Sequence, residues 1–132
     1  MADRFDTHGD FSWFELMTRD VEGSKEFYKE LIEWDFEEMP MQQGGTYTVL
    51  NVKGRGVGGI MPMPDRVPEC VPTHWATYIT VDDVDAVAKK AETLGATIIV
   101  PPTDIPNVGR FATFQDPQRA VINIIKYRAP AS

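Results

Sequence analysis

The sequence predicts an α+β fold made of one βαβββ module written twice, and three observations predict it. Residues 12–22, SWFELMTRDVE, can be laid over residues 75–85, WATYITVDDVD, at an offset of 63. In each copy an alternating run leads into an acid, a valine and a second acid, then an apolar stripe at helical spacing, then three strand-like runs. A proline-rich stretch separates the copies. A period this long that occurs twice marks a duplicated supersecondary unit rather than a solenoid.

The first strand lies in FSWFELMTRD, residues 11–20. Its alternation puts Trp13, Glu15 and Met17 on one face and Phe14 and Leu16 on the other, where they are expected to join the core. Asp20 is placed to cap a helix in which Val21, Ser24, Phe27, Tyr28 and Leu31 form a stripe expected to pack on the sheet. Strand-like runs follow at about 34–40, 46–52 and 56–61, with breaks at Gly44–Gly45 and Gly54. The glycines of KGRGVGGIM resemble a phosphate loop, but no helix follows them. They predict a bulge and a close strand approach instead.

Module one therefore spans about 11–63. The segment PMPDRVPECVPTH, residues 62–74, has prolines at 62, 64, 68 and 72 and reads as a stiff, extended linker. Module two, about 74–127, repeats the order. On its first strand Ala76, Tyr78 and Thr80 share one face, with Thr77, Ile79 and Val81 toward the helix. Asp82 or Asp83 caps that helix, its stripe is Val84, Val87, Ala88, Ala91 and Leu94, and Gly95 stands where a left-handed residue ends it. Runs at about 96–101, 109–115 and 119–126 follow. Pro101–Pro102 is expected to end the first, and Asp116–Pro117 to turn into the last, where Asn123 shares a face with Val121 and Ile125. By length, residues 1–132 are a single domain.

The apolar fraction of 42% and charged fraction of 25% are those of an ordinary soluble globular protein. No run approaches the ~18 apolar residues of a membrane span. The polar, acidic start MADRFDTHGD is unlike a secretory signal or transit peptide. A lone cysteine, Cys70, forms no internal disulfide and reads as an inert surface thiol, so a reducing, cytoplasmic setting is expected. The net charge of −7 argues against nucleic acid and anionic membrane partners; it is expected chiefly to keep the protein soluble, a preference for cationic or neutral ligands being the weaker reading.

The segments WFELMTRDVEGSKEFYKELIEW, VGGIMPMP, TVDDVDAVAKKAETLGA and GRFATFQDPQRAVINII cover nearly the whole chain. In this order they resemble the vicinal oxygen chelate superfamily, which includes glyoxalase I, the extradiol dioxygenases and the bleomycin and fosfomycin resistance proteins. The combination looks most like a glyoxalase-like branch related to lactoylglutathione lyase. The resemblance implies two curved half-sheets enclosing a cavity with helices outside, and a homodimer. It also implies metal ligands, typically His, Gln or Glu, on the first and last strands of each module. The matching positions here hold Trp13, a residue near Gly59, Ala76 and Asn123. A divalent metal needs about three or more nitrogen or oxygen donors in fixed geometry. His8 and His74 stand elsewhere, so no metal and no other cofactor is expected.

With Trp13 facing the cavity, Glu15 faces it too and is the only carboxylate among the residues set there. Trp13, Glu15, Tyr78 and Asn123 are therefore the candidate ligand-binding residues. Trp13 offers a stacking surface, Tyr78 and Asn123 hydrogen bonds, and Glu15 a partly desolvated carboxylate with a raised pKa. Each also has a plainer role: Trp13 filling space, Tyr78 at a rim, Asn123 tying strands together, Glu15 paired. The strands of Tyr47 and Phe111 could also reach the cavity, with the facing of both left open. The leading expectation is a protein that binds a small organic molecule. The alternative is a lyase or isomerase with Glu15 as general base and Tyr78 or Asn123 polarising an oxygen. A protein-interaction module with a vestigial cavity is the third.

Overall fold

The structure, a computed structural model, describes residues 3–41, 45–65 and 67–128. The elements run β1 (Phe11–Thr18), α1 (Val21–Ile32), β2 (Asp35–Pro40), β3 (Thr46–Val52), β4 (Arg55–Pro62), β5 (His74–Thr80), α2 (Val84–Thr93), β6 (Thr97–Ile105), β7 (Gly109–Gln115) and β8 (Val121–Tyr127). This is the α+β fold of duplicated βαβββ modules. The chain forms two compact units: Trp13–Ala76, and the chain up to Ser12 together with that from Thr77 onward. Among the described residues no helix is long and apolar enough to cross a membrane.

In the first of these units β2 pairs antiparallel with β3, β3 antiparallel with β4, and β4 parallel with β1. Lys53 and Gly54 both have positive φ, 51° and 78°, and make the two-residue turn that closes β3 onto β4. Such turns match the twist of the flanking strands. The predicted irregularity is a register shift at Leu50/Asn51. Gly45 has φ 80°, whereas Gly44 lies outside the described residues. Leu16, Leu50 and Ile60 are buried, with Leu16 opposite Ile60. Phe14 is 45% exposed, which corrects its assignment to the core.

The Asp20 side chain accepts from Gly23 N at 2.8 Å and caps α1. The stripe of α1 differs from expectation, because the helix has no buried residue. Its partly buried positions are Val21, Ser24, Lys25 and Tyr28, the 0, 3, 4, 7 pattern of one face. A polar Ser24, hydrogen-bonded to Thr18 Oγ1 at 3.0 Å, sits on that face, and Phe27 and Leu31 turn outward at 58% and 59% exposure. Tyr28 instead stacks on Trp34 and meets Trp75 edge-on, and Trp75 Nε1 donates to its hydroxyl at 3.2 Å.

The other unit repeats the topology: β6 antiparallel to β7, β7 antiparallel to β8, β8 parallel to β5. Asp83, not Asp82, caps α2 by accepting from Ala86 N at 3.0 Å. Gly95 follows the helix with φ 100°, the left-handed conformation that glycine adopts without a Cβ clash. Val84 and Ala88 of α2 are buried with Val81, Ala112 and Ile124 in one core cluster. β6 does not end at Pro101–Pro102 but runs to Ile105. It is a terminal strand of its sheet, and its register shifts between Val100 and Thr103, where prolines lacking an N–H are tolerated.

Candidate functional site

β1 alternates as its sequence requires, with Leu16 buried against the helix side and Glu15 on the opposite face. Glu15 is 6% exposed, and a carboxylate removed from water must be hydrogen-bonded or paired. One partner comes from β3. Tyr47 Oη donates to Glu15 Oε2 at 2.8 Å, and Trp13 Nε1 donates to Tyr47 Oη at 3.0 Å. Trp13, Tyr47 and Glu15 thus form a chain of two hydrogen bonds, and the one ending on the carboxylate is of the stronger kind if Glu15 is ionised.

Glycines of β4 make room for this arrangement. Val49 stands opposite Gly59, which puts Tyr47 diagonal to that glycine. A Cβ built on Gly59 would overlap the Tyr47 hydroxyl and ring. A Cβ on Gly58 would overlap the Phe14 carbonyl, the close strand approach expected of this segment. One on Gly56 would meet the Trp13 ring only at ordinary contact distance, 3.9 Å. The glycine run is a seat for aromatic side chains and a neighbouring backbone.

Tyr78 and Asn123 lie in the other unit and are direct partners across the parallel β5–β8 pair. Asn123 is 7% exposed and both ends of its amide are engaged. Its Oδ1 accepts from Thr113 Oγ1 at 2.5 Å, and its Nδ2 donates to the Thr77 carbonyl at 3.2 Å. It ties β5 and β7 to β8, the plainer of the two roles weighed for it. Tyr78 is partly exposed, and its carbonyl accepts from Ser12 Oγ at 3.5 Å. The structure thus groups Trp13 with Glu15 and Tyr78 with Asn123.

Tyr47 is the member that sequence reasoning left undecided. A partial signal existed: the alternation of TYTVLNV sets Tyr47 and Val49 on one face, and the glycines of the following strand leave room beside them. Phe111 is settled as well. It alternates with Ala112 and Phe114, which pack on the α2 side, and so shares the face of Thr113 and Asn123. Two surface hollows, of about 440 Å³ and 260 Å³, lie elsewhere. One is bordered by Val21, Glu38, Thr48 and Ile60, the other by Leu94, Phe114 and Pro117, and no candidate residue lines either.

The positions that the superfamily uses for metal ligands do not fit a metal. Indole N–H is a donor only, neither Ala76 nor any of Gly58, Gly59 and Ile60 brings a ligating side chain, and the Asn123 amide is committed to two neighbours. Among the described residues no group of three or more His, Cys, Asp or Glu is placed to hold a metal ion.

Residues 10–124 match the family model described as Glyoxalase/Bleomycin resistance protein/Dioxygenase superfamily. The putative glyoxylase CFP32 of Mycobacterium bovis is 38% identical over 114 residues, 86% of this chain and 44% of that protein. The chain thus spans less than half the length of this relative. Among solved structures, a hypothetical protein BH1468 from Bacillus halodurans superposes with TM-score 0.69 at 12% identity, covering 96% of this chain and 99% of that one. A Streptomyces coelicolor methylmalonyl-CoA epimerase in complex with 2-nitronate-propionyl-CoA does so with TM-score 0.63 at 15% identity, covering 93% and 100%. At such identities these two likenesses concern the fold alone. The extent of the family match and the repeated βαβββ topology agree: this chain belongs to the glyoxalase/bleomycin resistance protein/dioxygenase superfamily.

Proposed function

We propose that the protein binds a small organic molecule that carries a flat ring and a positive charge or hydrogen-bond donor, without using the superfamily's usual metal site. The observation that carries this reading is the buried Glu15 carboxylate, held by Tyr47 and bordered by the Trp13 indole. A carboxylate that is ionised only accepts, so it selects donors and cations, and an indole face adds stacking and cation–π attraction. The net charge of −7 favours the same ligands at long range. The chain acts as one glyoxalase-like domain, in the cytoplasm, as a homodimer.

Benzylammonium serves as a probe and benzoate as its control, followed by the side-chain indole resonances in solution. Saturable binding of benzylammonium in the millimolar range or below, weak or no binding of benzoate, and loss of the former in Glu15→Gln support the proposal. Equal binding of both ions, or none, overturns it.

A second reading has one observation in its favour. A buried carboxylate 2.8 Å from a tyrosine hydroxyl is also the arrangement of a general base with a neighbouring proton donor. The relative's name, putative glyoxylase, suits a lyase or isomerase with Glu15 in that role. Turnover that survives Glu15→Gln unchanged removes it.

A further inference from the structure

The Tyr47 hydroxyl has a single proton, and its direction is set by its neighbours. A phenolic O–H lies near the ring plane, and the indole N–H of Trp13 approaches the oxygen as a donor at 3.0 Å. The proton is then directed to the acceptor, Glu15 Oε2, at 2.8 Å. The ring reaches this position because it lies in the space that a side chain at Gly59 would need. Glu15, 6% exposed, is consequently held in one direction before any ligand arrives. Ordering paid in advance is affinity gained on binding.

We infer that Tyr47 is a positioning residue for the ligand site, fixing the Glu15 carboxylate through a hydroxyl that only a glycine at position 59 can accommodate. The inference rests on the reading that Glu15 meets the ligand. It adds two residues, Tyr47 and Gly59, that decide whether Glu15 is presented in a binding geometry. It also accounts for the absence of a ligating side chain on β4, since a tyrosine from the neighbouring strand fills that place. Selection follows from the same geometry: a donor-fixed acceptor oxygen favours compact cations over anions of the same size.

The test uses the full chain with Tyr47→Phe, which keeps the ring over Gly59 and deletes the hydroxyl. Two resonances are followed, the Trp13 indole N–H and the Glu15 side-chain carboxyl in carbon-13-labelled protein. Both should move in Tyr47→Phe, and benzylammonium should bind roughly tenfold more weakly, on the scale of one lost charged hydrogen bond. Gly59→Ala changes none of the three residues but puts a methyl group where the Tyr47 hydroxyl lies, so that the ring or a strand must move. It should shift the same two resonances and weaken the probe similarly, with far-ultraviolet circular dichroism reporting that the fold persists. If either resonance stays put in Tyr47→Phe, or if the resonances move while benzylammonium affinity is unchanged, the inference is wrong. If the unmodified protein does not bind benzylammonium at all, the binding reading fails by itself. The two resonances then decide whether Tyr47 positions Glu15.

Discussion

Tyr47 and Gly59 compete for one space: the tyrosine hydroxyl lies where the first side-chain atom of any other residue at 59 would stand. The pairing crosses strands, from β3 to β4, and brings the hydroxyl to Glu15 on β1. In a Gly59→Ala variant the overlap forces the ring or a strand to move, at a cost of about 1–3 kcal/mol. Tyr47→Ala vacates the space, so Gly59→Ala should cost much less in that background. Denaturant unfolding of the four proteins measures the coupling, and additive effects would show that the two side chains do not share the site.

Glu15 should tolerate an isosteric change better than an apolar one. Glu15→Gln keeps an acceptor for the Tyr47 hydroxyl and should alter stability by less than about 1 kcal/mol. Glu15→Leu leaves that hydroxyl without this acceptor and should cost about 1–3 kcal/mol. Equal unfolding midpoints for the two variants would mean that the Tyr47–Glu15 hydrogen bond does not contribute.

The two helices should respond differently to truncation. Val84 of α2 is 2% exposed, and Val84→Ala should cost about 2 kcal/mol at roughly 0.8 kcal/mol per buried carbon. Phe27 and Leu31 of α1 are more than half exposed, and replacing either by lysine should change stability within about 0.5 kcal/mol. Thermal unfolding of the three variants decides, and a large loss from Leu31→Lys would show that α1 is covered in solution.

Most of the fold was legible because it rests on local patterns that occur twice. Asp20 and Asp83 cap where an acid precedes a helical stripe, and Lys53–Gly54 turns where glycine breaks two alternating runs. The failures were of a different kind. On α1 the spacing places Val21, Ser24 and Tyr28 inward correctly, but Lys25 takes the remaining inward position while Phe27 and Leu31 face outward. Pro101 and Pro102 do not stop β6, because a terminal strand with a shifted register can do without their N–H groups. Trp13 and Glu15 were named from alternation within β1, but Tyr47 depends on β3 lying beside β4 in one register, which no single segment encodes.

Arg110 bridges Asp85 at 2.7 Å and Asp104 at 3.0 Å on the α2 side of β7. The hydrogen bond from Arg110 holds the Asp85 carboxyl below the usual aspartate range. A lowered pKa stabilises the folded state above the unfolded value, and this contribution is lost as pH falls through the folded one. Wild type should therefore exceed Asp85→Asn in stability at neutral pH, by a small margin because the pair is exposed. The difference should vanish in acid below the aspartate range. Melting temperatures across that range are the check, and a difference that persists at the acid end would contradict the assignment.

The central claim is a ligand site that works through Trp13, Tyr47 and Glu15 without a bound metal. Its most direct test is a benzylammonium titration of chelator-stripped protein, followed at the Trp13 indole resonance, with metal content verified by elemental analysis. A saturable shift that is the same before and after stripping is the expected result. Binding that appears only when zinc, nickel or iron is restored, or a Trp13 resonance that ignores the probe, would contradict it.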